Sequence, residues 1–283
     1  MPVNVLYCEG SPQGLDIRVI SQLAPQGCLI KAIGGKTSTF MDSIIADRTI
    51  VPTLSGLVDR DFDCEFKPIT QIPLTLFHQT VTVGWSWERK ELENYLIDPK
   101  IVALTWGNKR FSAIDYQQSL EQAIDSIRLY SAARTALSCY KFKNYWGEEV
   151  KDFKARYQFP KNPRDLSQQH CRDAIQRIVQ DTNVDRIVTA DRVIEKFDTL
   201  LPEFRPNGDR LNNALTFFAG KDLLCALKPA LINWGLDPKQ PIQIFLERIV
   251  NQLEKVESPW NILPEWQALH EILLSQNHPD RAK

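Results

Sequence analysis

Apolar positions come in strand-length runs over the first ninety residues and at helical spacing after about residue 112. Residues 3–8, Val-Asn-Val-Leu-Tyr-Cys, form a β-rich run that reads as a buried strand, with Glu9 and Gly10 at its carboxyl end. Leu15, Val19, Ile20 and Leu23 then share one face of a helix over 15–23. A second strand is expected over 28–33, stopped by Gly34-Gly35, followed by a short helix over 38–47. A third strand over 54–58 runs into Asp59-Arg60-Asp61-Phe62-Asp63, and residues 80–87 alternate as a fourth. Strand and helix in alternation predict a parallel sheet with crossover helices, in which sites form beyond the carboxyl ends of strands. Glu9 and Asp59 both occupy such ends.

The later part of the chain reads as helices. Ser112-Ala-Ile-Asp115 has the form of a capping box, with Leu120, Ile124, Ile127 and Tyr130 behind it. Thr189 is placed to cap a helix bearing Val193, Phe197 and Leu200. Pro241 and Pro264 each suit a first helical turn, ahead of Ile242, Phe245, Ile249 and Leu253 and of Trp266, Leu269 and Leu273. Residues 277–283 are expected to fray.

Composition narrows the function classes. With 43% hydrophobic and 24% charged residues, the 283-residue chain has an ordinary globular make-up. It has no apolar run of about 18 residues and no secretory leader pattern, so a membrane span is not expected. Six scattered cysteines without a CxxC argue against a zinc module and for a reducing, cytoplasmic setting, with Cys8 and Cys28 as buried thiols. The four histidines show no ligand spacing, and no Ser-His-Asp set can be argued. The net charge of −1 is unevenly spread: residues 128–172 hold ten Lys/Arg against four Asp/Glu, interleaved with eight aromatics. Such a stretch can follow a phosphate backbone and stack bases, or can be a solvated helical face with core rings. Gly34-Gly-Lys-Thr37 lacks the spacing of a phosphate loop and reads as a turn, from which Lys36 can still touch a phosphate.

The acids carry the sharper chemistry. Mg²⁺ prefers carboxylate oxygens, and phosphodiester cleavage needs charge neutralised on the phosphate and on the entering and leaving oxygens. On an extended segment Asp59 and Asp61 point to one side and can meet one metal, with Glu9 facing them from another strand end. By itself, Asp59–Asp63 reads as a polar turn after a strand; Glu9-Gly10 at the first strand end favours the metal reading. Glu91 and Glu93, two apart, lie roughly 200° apart on a helix, so one would be solvated.

Three phrases occur in order: Val-Leu-Tyr-Cys-Glu9-Gly10, Gly56-Leu-Val-Asp59-Arg60-Asp61, and Arg89-Lys-Glu-Leu-Glu93-Asn94-Tyr95-Leu96. A fourth, Phe-Phe-Ala-Gly220-Lys221-Asp222-Leu-Leu, follows a helical stretch. Together they resemble the TOPRIM domain, and most closely the branch shared by OLD-type nucleases and the TOPRIM effectors of PARIS-type anti-phage systems. The resemblance is dense over residues 3–99, returns at about 215–227 and is thin elsewhere. It departs from the broader pattern in the Ser-Pro-Gln-Gly that follows Gly10, and in the extra acid Asp63.

The resemblance implies a Rossmann-like α/β TOPRIM domain over 1–110 with a mainly parallel sheet, and a mostly helical insertion and C-terminal region over 111–283 that returns to the site at 215–227. It implies a Mg²⁺-dependent nuclease, with Mn²⁺ as a substitute, that cuts DNA or structured RNA as a phage-defence effector. Glu9, Asp59 and Asp61 would be the metal ligands and Glu9 the acid/base. Glu93 would assist, and Lys221 would neutralise phosphate charge or, more plainly, cap a helix. The chain has no Walker A motif, so an ATPase would be a partner, alongside homo-oligomer formation as another option. Topoisomerase and primase chemistry lack a marked tyrosine and a zinc module. The alternative of another class is a non-catalytic scaffold that docks on an ATPase.

Overall fold

The computed structural model describes residues 2–35, 38–62, 68–106, 111–150, 157–182 and 187–275. They form two compact units. The first draws on Met1–Arg60, Pro68–Leu92 and Glu247–Lys283, the second on Asp61–Lys67 and Glu93–Leu246.

The first unit is an α/β layer built on a mainly parallel five-stranded sheet. Its elements are β1 (Val5–Cys8), α1 (Leu15–Leu23), β2 (Leu29–Ala32), α2 (Ser38–Asp47), β3 (Leu54–Val58), β4 (Leu74–His78) and β5 (Val81–Ser86). Strand order is β2-β1-β3-β5-β4. β1 pairs in parallel with β2 and β3, and β3 with β5, while β4 closes the edge antiparallel to β5. The expected strands and helices thus form within a residue or two of their predicted bounds. β4 is an addition: Leu74-Thr-Leu-Phe-His78 forms a short edge strand with Thr75 and Phe77 exposed, just ahead of the stretch expected as the fourth strand.

The sheet is buried on one face against α2, where Phe40, Met41 and Ile44 meet Tyr7, Leu54, Val58 and Val83. Alternation sends Leu6 and Cys8 to the other face, both wholly buried. The C-terminal end of the chain belongs to this unit. Val3 N donates to Leu273 O at 2.9 Å, and His270, stacked on Trp260, bonds through Nδ1 to Leu23 O at 2.7 Å. Arg18 on α1 pairs with Glu247 and Glu254, each at 2.8 Å, and donates to Asn251 at 2.7 Å.

The second unit is mostly helical. It contains α3 (Glu93–Leu96), α4 (Pro99–Trp106), the long α5 (Ala113–Cys139), a small hairpin of β6 (Glu148–Val150) and β7 (Tyr157–Phe159), α6 (Gln168–Thr182), α7 (Ala190–Leu200), α8 (Asp209–Asn212), α9 (Ala214–Phe217) and α10 (Gly220–Asn233). α11 (Pro241–Leu253) begins in it, and α12 (Pro264–Ser275) lies in the first unit. α5 starts where helical periodicity begins, and its capping box is formed: Asp115 N donates to Ser112 Oγ at 3.1 Å and Ser112 N to Asp115 Oδ2 at 3.0 Å. Thr189 caps α7 by accepting from Arg192 N, and Val193, Phe197 and Leu200 face inward. α5 packs against α6, α7 and α10. Within this unit Trp106, Phe111, Tyr116, Trp234 and Phe245 make a continuous ring cluster. Among the described residues no helix is long and apolar enough to cross a membrane.

Candidate functional site

In the first unit, topology brings two of the expected acids together. The chain passes from β1 outward to β2, then back across to β3 on the opposite side of β1. The order reverses between β1 and β3, and ligand sites of open α/β sheets form in the crevice beyond the strand ends at such a point. Cys8 and Leu57 are in register, so Glu9 and Asp59 leave neighbouring strands at the same edge. Asp59 N donates to Glu9 Oε2 at 2.8 Å, and Asp59 Oδ1 accepts from Leu92 N at 3.2 Å. Both acids are half-buried. Gly10 turns the chain away just after Glu9 at φ +105°, and Asp16 Oδ2 would stand 3.0 Å from a Cβ placed there. Glycine removes both the backbone strain and that contact.

Asp61 belongs to the second unit. It does not continue an extended segment: β3 stops at Val58, and Asp61 sits in a turn at φ +54°. The expectation that Asp59 and Asp61 point to one side by strand alternation is therefore corrected, because its premise, an extended backbone, fails at Asp61. Aspartate is among the few residues that adopt this left-handed conformation at modest cost. Asp63, Lys36 and residues 277–283, for which fraying was expected, lie outside the described residues.

The phrase around Glu93 is not a solvated helix start. Glu88, Lys90 and Glu91 are all buried, and Arg60 with them. Glu88 accepts from Thr70 N and Thr70 Oγ1 through one oxygen, at 2.5 and 2.8 Å, and from Gln71 N through the other, at 2.9 Å. Its own amide donates to Glu265 Oε1. Neither Glu91 nor Glu93 is the solvated member of a pair, since α3 begins only at Glu93 and the Glu93 side chain is 13% exposed. Charged groups this deep are held by partners, a feature that charge count and periodicity do not reveal.

In the second unit, two distant phrases of the sequence dock on one another. Asn94 Nδ2 donates to Phe218 O at 2.9 Å, and Lys221 Nζ lies 3.4 Å from Glu93 Oε2. Gly220 makes this approach feasible: a Cβ there would lie 2.6 Å from Asn94 N and 2.8 Å from Glu93 Cβ. Lys221 thus stands in the first turn of α10 with its ammonium beside an acid. Next to it, Asp222 is buried and pairs with Arg134, a residue that sequence reasoning counted only as one cation of a basic stretch. Of the rings in that stretch, Tyr130, Phe142, Trp146 and Tyr157 are core, so they are not stacking platforms. Lys143 lies over the more exposed ring of Tyr145.

In comparisons with known proteins, no family model matches the chain and no curated protein matches it. Among the described residues no group of three or more His, Cys, Asp or Glu is gathered to hold a metal ion. Mg²⁺ asks for less, since one or two carboxylates complete its shell with waters and substrate phosphate. Glu9 and Asp59 are such a pair of hard oxygen donors. A carboxylate has lone pairs enough to accept an amide and still meet a cation, so the bonds these two make do not exclude that use.

Proposed function

We propose that the chain is a TOPRIM-type, Mg²⁺-dependent nuclease that cuts DNA or structured RNA. The observation that carries this reading is the Glu9–Asp59 pair at the carboxyl ends of adjacent parallel strands, at the point where the strand order reverses. The ordered phrases that resemble the family supply the residues, and the Glu93–Lys221 pair brings two of those phrases to one place in the helical unit.

In this reading Glu9 and Asp59 would hold the metal ion, whose charge would offset negative charge on the phosphate and on the oxygens that enter and leave, and Asp61 is the third ligand that the resemblance implies. Glu9 takes the proton of the attacking water or hydroxyl, and a proton returned from it neutralises the leaving oxygen, so none is lost or gained overall. Lys221 presents positive charge to the phosphate, and Glu93 keeps the ammonium oriented. A phage-defence role, with an ATPase or a second copy of the chain as candidate partner, is part of the same proposal.

The test is single-turnover cleavage of plasmid DNA and of total tRNA by the wild type and by Glu9→Gln, each with Mg²⁺ and then with EDTA. The expected result is metal-dependent cutting by the wild type alone. A wild type that cuts neither substrate, with or without a candidate ATPase, would leave the scaffold reading in front.

A further inference from the structure

Arg134 lies in the last third of α5, with its side chain only 11% exposed. Every part of its guanidinium is engaged. Nε donates to Asn144 O at 2.8 Å, Nη2 reaches Asn144 Oδ1 at 3.4 Å, and Nη1 pairs with Asp222 Oδ2. The plane covers the ring of Phe62, with Cζ 4.4 Å from its centroid, and Tyr130 lies beyond at 5.7 Å. One turn further on, Ser138 Oγ donates to Phe62 O at 3.2 Å. α5 therefore grips residue 62 by both ring and carbonyl, and grips the first turn of α10 by Asp222.

The two gripped residues are chain neighbours of two residues with proposed roles. Phe62 follows Asp61, and Asp222 follows Lys221. A buried ion pair is a poor device for stability alone, because apolar side chains of similar volume serve as well or better. A planar fork that stacks on one face and ion-pairs at its edge can, however, fix two segments relative to each other.

We propose that Arg134 is a positioning residue, which holds the Asp61 turn and the Lys221 turn of α10 at a set separation, so that the acid proposed as a metal ligand and the ammonium serve the same phosphate. This rests on the nuclease reading. Lysine in its place keeps charge opposite Asp222 but loses the stack on Phe62 and the fork to Asn144.

The experiment uses the full chain and four proteins: wild type, Arg134→Lys, Phe62→Leu, and the double variant Arg134→Met/Asp222→Leu, which removes the charge pair as a whole. Wild-type cleavage is measured first, with Mg²⁺, on plasmid and tRNA. Melting temperature and far-ultraviolet circular dichroism accompany each variant. Should Arg134→Lys fail to fold, Phe62→Leu, which leaves the Asp222 pair in place, carries the test. The expected result is a fall of roughly hundredfold in the single-turnover rate at saturating substrate, the scale of loss that a misplacement of about 1 Å brings. Half-saturating substrate should be little changed. Hydrogen–deuterium exchange, which needs neither metal nor substrate, should rise together in the peptide that bears Asp61 and Phe62 and in the first turn of α10, and stay unchanged in α7. Variants that fold and cut at the wild-type rate, or exchange that stays at wild-type levels in both peptides, would overturn the positioning role. A wild type that cuts nothing would instead overturn the nuclease reading, a result seen before any variant is compared.

Discussion

Glu9 and Asp59 are joined by one hydrogen bond, but their substitutions should act differently. Glu9→Gln keeps an oxygen able to accept from Asp59 N and loses proton transfer, so the fold and nucleic-acid binding should persist. The single-turnover rate should fall by about 10²–10⁴. Asp59→Asn keeps the Oδ1 that Leu92 N uses, and asparagine tolerates the left-handed turn at Asp61 as aspartate does. Both Asn variants should therefore retain a native circular dichroism spectrum while metal-dependent cleavage is lost and Mg²⁺ affinity falls. An Asp61→Asn protein that cuts as well as the wild type would make that acid a turn residue only. Tyr7 offers a test at the same scale that needs no substrate. Its hydroxyl donates to Asp47 Oδ2 at 2.6 Å, and that bond, with burial and the nearby negative charge, pushes the phenol up to about 12. Because the folded value lies above the unfolded value of about 10, the stability this bond contributes is fully present below pH 10. It is lost as pH rises towards 12. Tyr7→Phe should remove that alkaline step from a plot of stability against pH, read by urea unfolding.

At the scale of elements, the joint between α3 and α10 and the cap of α5 make contrasting predictions. Gly220→Ala sets a methyl group 2.6 Å from Asn94 N, a backbone atom that cannot rotate away. Separating the two helices should cost about 1–3 kcal/mol by urea unfolding and weaken the Asn94–Phe218 and Lys221–Glu93 contacts, so cleavage should fall as well. Ser112→Ala removes the cap of α5 and should cost about 0.5–2 kcal/mol with cleavage unchanged at a temperature where the variant is folded. A Gly220→Ala protein of wild-type stability would show that this joint is looser than its geometry.

For the whole molecule, thiol chemistry reports which surfaces open. Cys8 and Cys171 are buried, and burial pushes the Cys8 thiol well above its ordinary value and Cys171 to about 12. Cys28, half-buried, is raised to about 11 by the same cause. Cys139 is exposed. Maleimide on the native protein should label Cys139 well ahead of Cys8, Cys28 and Cys171, which should react only once the chain unfolds, as peptide mapping would reveal. In cells, overproduction of the wild type should be toxic and of Glu9→Gln tolerated. Equal growth of the two strains would argue against regulated nucleic-acid damage as the biological output.

Local physics made much of the fold legible in the chain. Four strands of the sheet, α1, α2, the capping box at Ser112, the Thr189 cap and the proline-led α11 and α12 all follow from periodicity and end signals, because those depend on residues within a turn or a strand of one another. The nearness of Glu9 to Asp59 follows almost as directly, since alternating strands and helices imply parallel neighbours whose carboxyl ends share an edge. Tertiary structure decided the rest. The antiparallel edge position of β4 was hidden because strand order and direction depend on which segments meet, not on the pattern within Leu74–His78. The left-handed turn at Asp61 was hidden because aspartate adopts either backbone form. The Glu88–Glu265 and His270–Leu23 bonds span 177 and 247 positions and leave no periodic trace. The same holds for Arg134. In the sequence it is one basic residue among ten. Its role appears only when α5, α10 and the turn at Phe62 fold together and leave a guanidinium almost no water to bind, so that Asp222, Asn144 and an aromatic ring must take water's place.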